Sequence, residues 1–185
     1  NAALIAAIKM AKLARWANCE VYYIVDPSVA EFVDGLRHFT TQVIGLSILY
    51  IAGNSISQDL IGSDPALPTA NGTIGPDLIY NIIDEKVPES RIVLMMDGVN
   101  SISSWDPAEK DLESSGVMFM SPYPDPQQAH LQQFDISNVS IFIRELCNYL
   151  KQTPLATAGE IYDDLQKGLT QYGQKLFVAA VPDEF

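Results

Sequence analysis

Small and polar side chains follow two apolar stretches of strand length in this sequence. They are Asn54 and Ser55 after residues 46–52, and Asp97 and Ser101 after residues 91–96. A continuous apolar run of that length is typical of a strand that is buried on both faces of a parallel sheet. The carboxyl ends of such strands face the ligand crevice in open α/β sheets. We therefore expect any functional site to lie where these two strands end.

The hydroxyl groups of Ser55 and Ser101 are candidate nucleophiles at these strand ends. A serine attacks a carbonyl efficiently only when a neighbouring base accepts its proton. Asn54 does not supply that base, because its amide has no usable pKa near neutrality. The histidines do not supply it either, since His38 falls on a predicted helix and His130 in a predicted loop. The pattern disfavours hydrolysis, and as an alternative the two serines are ordinary turn formers.

Two aspartates are candidates for a binding crevice. Asp97 ends the second apolar stretch, and Asp125 lies in the proline-rich segment 121–127. Together they would line a polar crevice, although each is equally typical of a turn or a helix cap. The histidines and cysteines are too scattered for a metal site, and no glycine-rich phosphate-binding motif occurs. The sequence therefore predicts no metal and no cofactor.

The composition is that of an acidic globular domain. The 185 residues are enough for one domain with a sizeable core. With 23 acidic and 11 basic residues the formal net charge is −12, which disfavours nucleic acid and anionic membranes, because both are bound through clustered Lys and Arg. No apolar run approaches the ~20 residues that span a bilayer. Cys19 and Cys147 are predicted to be buried apolar residues rather than a disulfide, which favours the cytoplasm.

The first quarter of the chain is predicted to alternate between helix and strand. Apolar residues recur with a period of 3.6 over residues 2–17, which indicates a helix. The β-branched and aromatic residues at 20–25, Glu-Val-Tyr-Tyr-Ile-Val, indicate a strand. Ser28 and Glu31 have the spacing of a capping box, which predicts a helix that begins there and runs to about residue 42.

The later elements continue this alternation, after a loop rich in Pro, Gly and Asn that reaches Pro76. The predicted order is helix 76–86, strand 91–96, polar surface loop 101–115, strand 116–120, helix 137–152, helix 157–172 opened by a second capping box, and strand 175–181. Alternating helices and strands with short connections predict an α/β sandwich with helices on both faces of the sheet. Parallel strands are expected at 20–25, 46–52 and 91–96.

The two strand ends resemble those of the caspase, metacaspase and paracaspase superfamily of cysteine peptidases. In that family one strand ends in Ser-Gly-His-Gly and the next in Asp-Ser-Cys-His-Ser or a relative. Residues 48–55 are similar to the first pattern with Asn54 in place of the histidine. Residues 97–101 are similar to the second with Val99 in place of the cysteine. The resemblance therefore implies that both catalytic residues are replaced.

The resemblance extends along nearly the whole chain and implies a three-layer sandwich of the caspase-hemoglobinase type. Residues 1–100 would correspond to the large subunit, 101–115 to an exposed linker, and 116–185 to the small subunit. Residues 59–64 resemble a short hairpin of the family. The segment 121–127 resembles a metacaspase loop that contributes an acidic residue to the S1 pocket.

The resemblance also implies a strand that precedes the first helix and lies inside the sheet. Asn1 already falls at the start of the predicted helix, and the sequence begins without methionine. We therefore expect the chain to be a fragment of a longer product, in which preceding residues fill a gap between two strands.

The function implied by the resemblance is that of a pseudopeptidase, a catalytically inactive domain that regulates or scaffolds other proteins. Its vestigial pocket would be lined by Asp97, Asp125, Ser55 and Ser101. Two alternatives remain open, namely a hydrolase with relocated catalytic residues and a purely structural domain of a larger protein.

The expected partner is a protein, not nucleic acid or a membrane. Caspases pair through their final strand, and here the final predicted strand runs from Lys175 to Val181. An uncovered apolar edge strand is a template for pairing. The sequence thus predicts a homodimer, or a heterodimer with a homologous active caspase-like peptidase, through this strand.

Overall fold

The structure of the chain, a computed structural model, describes residues 2–53, 66–97, 116–124 and 140–179. Within these ranges the chain forms five helices and six strands. The helices are α1 (Ala2–Trp16), α2 (Val29–Gln42), α3 (Pro76–Asp84), α4 (Ile141–Gln152) and α5 (Ala158–Thr170). The strands are β1 (Leu46–Ala52), β2 (Leu67–Thr69), β3 (Gly72–Ile74), β4 (Arg91–Asp97), β5 (Val117–Pro124) and β6 (Gln174–Ala179).

Four of these strands form the central sheet, in the order β1-β4-β5-β6. β1, β4 and β5 are parallel, with Leu49 of β1 opposite Leu94 of β4. β6 is antiparallel to β5 and places Phe177 opposite Ser121. The prediction that these two apolar stretches form parallel strands of one sheet is confirmed.

Helices cover both faces of this sheet, which gives three layers. On one face α1, α4 and α5 contribute buried side chains such as Met10, Phe142 and Leu169. On the other face α2 and α3 contribute Leu36 and Ile83. Because β4 is buried between the two layers, its side chains are apolar on both sides, as a continuous apolar run predicts. The α/β class with a mostly parallel sheet between helices is confirmed.

Both predicted capping boxes are present. The Ser28 hydroxyl accepts from the backbone N–H of Glu31 at 3.2 Å, and the Glu31 carboxylate accepts from the N–H of Ser28 at 2.8 Å. Thr157 and Glu160 repeat the arrangement at 3.3 and 2.8 Å. These bonds satisfy N–H groups that have no partner within the helix. The starts of α2 and α5 are therefore local properties of the sequence.

The strand predicted at residues 20–25 is wrong, because these residues form neither strand nor helix. Left-handed backbone conformations bound the segment, with φ of 61° at Asn18 and 47° at Asp26. Ile24 packs on α2, where its Cδ1 lies so close to Gly35 that a side chain there would clash with it. The residue types that favour strands do so by packing against neighbouring strands, and no described strand pairs with this segment.

Part of the loop predicted before Pro76 is a short antiparallel hairpin, formed by β2 and β3. Leu67 pairs with Ile74, and both side chains are buried. Asn71 in the turn accepts a hydrogen bond from the backbone N–H of Val29 at 2.9 Å, which attaches the hairpin to the start of α2. Three-residue strands are too short to show a periodic pattern. The hairpin predicted at 59–64 lies outside the described residues.

Two further predictions need correction. β5 continues to Pro124, into the segment predicted as a loop, because β6 pairs with it along that extension. Cys19 is exposed, whereas Cys147 is buried as predicted, and neither forms a disulfide. Cys19 follows the end of α1 and precedes the segment that lacks a strand partner, so no element covers it within the described part of the chain.

Candidate functional site

The predicted site lies at the carboxyl ends of β1 and β4. Ala52 is opposite Asp97 at the end of this ladder, and the N–H of Gly53 donates to the Asp97 carbonyl at 3.0 Å. The parallel register therefore brings the two strand ends together, as the sequence predicts. Asp97 is the predicted site residue that the structure places. Outside the described residues lie Asn54, Ser55, Val99, Ser101 and Asp125.

Asp97 is buried, with 6% of its surface exposed. The phenol of Tyr50 donates to its Oδ2 atom at 2.6 Å. Tyr50 lies two residues before Ala52 on β1, and side chains two residues apart project from the same face of a strand. That face is the one covered by α1, α4 and α5, since Tyr50 and Ala52 both pack in the core beneath those helices.

The Ser140 hydroxyl is the second partner of the Asp97 carboxylate. Ser140 is itself buried and is the N-cap of α4, where its hydroxyl oxygen accepts from the N–H of Ile143 at 3.4 Å. Since that oxygen accepts from the helix, its proton is free to point to Asp97. The N-terminus of a helix also favours a nearby negative charge. α4 therefore begins where the end of β4 places a carboxylate.

The electrostatics of this cluster follow from its burial. Burial raises the pKa of Asp97, and the hydrogen bonds from Ser140 and Tyr50 lower it without cancelling that effect. Burial, followed by the nearby Asp97 charge, raises the pKa of the Tyr50 phenol. Tyr50 is therefore protonated near neutral pH and acts as a donor. The cluster joins β1, β4 and α4 through one buried carboxylate.

Cys147 lies on the same helix as Ser140, two turns further on, and is close enough to influence Tyr50 electrostatically. Burial raises the pKa of its thiol, and the positive charges of Lys151 and Lys9 oppose that shift only in part. The nucleophilic form of cysteine is the thiolate. Cys147 is therefore an apolar neighbour of the cluster and lacks the properties of an activated nucleophile.

Ser121 is a further buried hydroxyl near the carboxyl edge of the sheet. It donates to the Met96 carbonyl at 2.9 Å, so it joins β5 to β4 beside Asp97. The sequence placed Ser121 in an S1-like loop, whereas the structure places it inside β5. Its hydroxyl is engaged by the backbone and has a structural role.

The histidine that the structure describes is remote from this cluster. His38 is exposed on α2 and contacts Tyr22 edge-on, with ring centroids 6.5 Å apart. α2 covers the face of the sheet opposite to Asp97. No group of three or more metal-ligating side chains occurs among the described residues.

The roles of Tyr50 and Ser140 were not predicted from the sequence. A usable signal was present for Tyr50, because it is the one residue of the stretch 46–52 with a ring hydroxyl that needs a partner when buried. Ser140 resembled any other polar residue within the predicted helix 137–152. Only the pairing of β1 with β4, and the placement of α4 over them, brings both to Asp97.

Comparison with known proteins gives a structural likeness. No family model matches the sequence, and a search of curated proteins finds no match either. Among solved structures, the chain is similar to protein GSU0716 from Geobacter sulfurreducens, with a TM-score of 0.66 and 14% sequence identity over 97% of this chain and 84% of that one. At this identity the likeness shows the fold alone. None of the described helices is long and apolar enough to cross a membrane.

Proposed function

We propose that this chain is a pseudopeptidase, a catalytically inactive domain of the caspase-hemoglobinase type that binds other proteins in order to regulate or scaffold them. The three-layer α/β architecture supports this fold type. So does the position of the resembling motifs, which follow the ends of two adjacent parallel strands, β1 and β4.

The observation that carries the proposal is that the hydrogen bonds of the Asp97 carboxylate are made within the protein. Tyr50 and Ser140 both donate to this carboxylate, and 94% of its surface is buried. A general base must instead reach a proton of the substrate. Asp97 thus stabilises the end of the sheet and leaves the crevice without a described acid or base.

The groups needed for cysteine peptidase chemistry are also missing from the motif positions. Such a reaction needs a thiolate nucleophile and an imidazole that transfers the proton. Val99 has no nucleophilic atom, and Asn54 has no basic one. The described alternatives are poor, since Cys147 is a buried thiol with a raised pKa and His38 lies across the sheet.

The proposed interaction surface is the outer edge of β6, where the backbone N–H of Leu176 donates to the Gln166 side chain of α5 at 3.0 Å. β6 is the last strand of the described sheet and pairs with β5 on one side only. Its residues Phe177 and Val178 are partly exposed. A second copy, or a homologous active caspase-like peptidase, would add its own final strand antiparallel to this edge. The domain would act in the cytoplasm and would need no cofactor.

A peptidase assay tests the inactive state. The chain is incubated with fluorogenic peptides that carry Arg, Lys or Asp before the reporter group, with and without Ca²⁺. We expect no turnover above buffer. Turnover that Ser55→Ala or Ser101→Ala abolishes, and that Ser47→Ala retains, would contradict the proposal and identify a hydrolase with relocated residues. Activity gained by the double variant Asn54→His and Val99→Cys would support the resemblance.

Sedimentation tests the proposed interface. The chain is run at about 0.15 M salt, where the Debye length is ~8 Å and repulsion between acidic copies is screened. We expect a dimer that Val178→Glu dissociates and that Leu155→Glu leaves intact, because Leu155 is 94% exposed outside the sheet. A monomer at high concentration would reject the homodimer. Mixing with an active caspase-like peptidase would then test the heterodimer.

A further inference from the structure

The backbone groups along β6 alternate between its two sides. In an antiparallel ladder, residue pairs that exchange backbone hydrogen bonds alternate with pairs that do not. The Leu176 N–H donates to a side chain of α5 and not to β5, and the residue opposite it, Pro122, has no N–H to donate in return. The even-numbered residues of β6 therefore direct their backbone groups outward. They are Gln174, Leu176 and Val178.

Gln166 of α5 occupies the middle of this outer edge. Its side-chain Oε1 accepts from the Leu176 N–H at 3.0 Å. Thr170, one turn further along the same helix, orients the amide. Its hydroxyl accepts from Gln166 Nε2 at 3.1 Å and donates to the Gln166 carbonyl at 2.7 Å. With its nitrogen held by Thr170, the amide directs its oxygen to Leu176.

Burial divides the outer edge of β6 at the same point. Gln174 and Leu176 are 6% and 4% exposed, whereas the last residues of the strand, Val178 and Ala179, are partly exposed. α5 packs against β6 and covers its first half. Covering an edge with a helix is one way in which proteins limit pairing with other strands. Among the described residues, the edge is therefore closed at Leu176 and open at Val178.

We propose that Gln166 is an edge block, a side chain that competes with a partner strand for the Leu176 N–H and so weakens association through β6. The inference rests on the proposed function, in which β6 is the interaction surface. A partner strand reaches Val178 without disturbing α5. A ladder that also includes Leu176 must first break the bond between Leu176 and Gln166. The side chain thereby regulates how strongly β6 pairs.

The direction of the effect follows from an exchange of hydrogen bonds. In the parent chain, pairing replaces the bond from Leu176 to Gln166 with a bond from Leu176 to the partner, so this position contributes little to association. Without the Gln166 amide, the free chain has an N–H without its acceptor at a residue that is 4% exposed. A buried donor without a partner is unfavourable. Pairing then satisfies that donor, once in each copy of a homodimer.

Sedimentation at about 0.15 M salt, where charge repulsion is screened, measures this effect. Gln166→Ala should lower the Kd of the homodimer by about fivefold or more, because each copy gains a hydrogen bond on pairing. The matched control is Gln171→Ala, at an exposed residue that ends α5, and it should leave the Kd unchanged. Thr170→Val, which removes the hydroxyl that orients the amide, should lower the Kd by a smaller factor. Adding Val178→Glu to Gln166→Ala should abolish the gain.

Amide hydrogen exchange tests the edge block without a partner strand. The Val178→Glu background keeps the chain monomeric in this measurement. We expect the Leu176 amide to be protected there and to exchange about tenfold faster when Gln166→Ala is added. The amide of Phe177, which is directed to β5, should be protected in both chains, and this also shows that the variant is folded. Unchanged protection of Leu176 would overturn the proposal, because Gln166 would then not be what shields its N–H.

The sedimentation results separate this proposal from the proposed function. A monomeric parent chain with a dimeric Gln166→Ala variant supports the edge block and rejects the homodimer of the parent. A dimeric parent whose Kd is unchanged by Gln166→Ala overturns the edge block and retains the β6 interface. Monomers of both chains overturn the edge block and the homodimer together. A gain in association that Val178→Glu leaves intact also overturns the edge block, since the copies would then associate through another surface.

Discussion

The hydrogen bond between Tyr50 and Asp97 gives a quantitative prediction. Tyr50→Phe removes the hydroxyl that donates to the Asp97 carboxylate at 2.6 Å and retains the ring that packs beneath the helices. Asp97 then keeps Ser140 as its remaining described donor. A lost hydrogen bond to a charged group lowers the free energy of unfolding by about 1.5–3 kcal/mol. Bulk water has little access to this carboxylate, since 6% of its residue surface is exposed.

The expected change is measurable in a thermal melt at pH 7. In a chain of this length, a loss of ~1 kcal/mol lowers Tm by about 2–4 °C, so Tyr50→Phe should lower it by roughly 3–12 °C. Tyr162→Phe is the matched control, because Tyr162 is 38% exposed on α5 and its hydroxyl has no described hydrogen bond. The control should shift Tm by about 1 °C or less, since it stays within the range of ordinary surface substitutions.

A double-mutant cycle separates the charged hydrogen bond from the packing of the ring. In an Asp97→Asn background the same Tyr50→Phe change removes a neutral bond, worth about 0.5–1.5 kcal/mol. We therefore expect a coupling of roughly 1 kcal/mol between the two positions. Equal effects of Tyr50→Phe in both backgrounds, or an effect below ~0.5 kcal/mol in the parent chain, would refute the assignment of Asp97 as a buried, hydrogen-bonded carboxylate.

Three further predictions concern pH, a helix cap and a backbone conformation. Burial raises the pKa of Asp97 in the folded chain. Its contribution to stability is therefore fully present below about pH 4, its ordinary pKa, and is lost as pH rises through the raised value. Urea unfolding between pH 4 and 8 should show this fall in the free energy of unfolding, and Asp97→Asn should remove it. Thr157→Ala should lower the free energy of unfolding by ~1 kcal/mol through loss of the N-cap, whereas Thr157→Ser, which keeps the hydroxyl, should restore most of it. Gly116→Ala should lower the free energy of unfolding by about 1–2 kcal/mol, because φ is +68° and the new Cβ would lie 3.0 Å from Arg91 Cδ. An unchanged Tm, or an equal loss for Gly159→Ala in open space on α5, would contradict this prediction.

The starts of α2 and α5 and the inner strand β4 were predictable because they depend on neighbours in sequence. Ser28 and Thr157 cap α2 and α5 through bonds to residues three positions later. The stretch 91–96 is a continuous apolar run, and the structure buries it on both faces as β4. Turn residues before Pro76 were also identified, although the short hairpin within them was not.

The candidate site was predictable only in position. The carboxyl ends of β1 and β4 meet as expected, and Asp97 is there. The sequence assigned Asp97 to an open crevice, with a turn or cap role as the alternative. The structure instead buries it under Ser140 of α4, at a sequence separation of more than 40 residues. No local pattern reports such a contact, because it depends on how a helix packs over a distant strand.

Residues 20–25 show most clearly that a local preference for a strand does not form one without a tertiary partner. Their β-branched and aromatic composition is real and favours a strand, but a strand exists only when another strand supplies hydrogen bonds and a packed surface. In the described chain Ile24 packs on α2 and the edge of β1 stays open. The sequence alone determined where α2 and α5 begin, which stretches are apolar enough to be strands, and the acidic charge. The tertiary structure decided which of those stretches pair and which polar groups meet beneath the helices, because both depend on contacts between residues far apart in the chain.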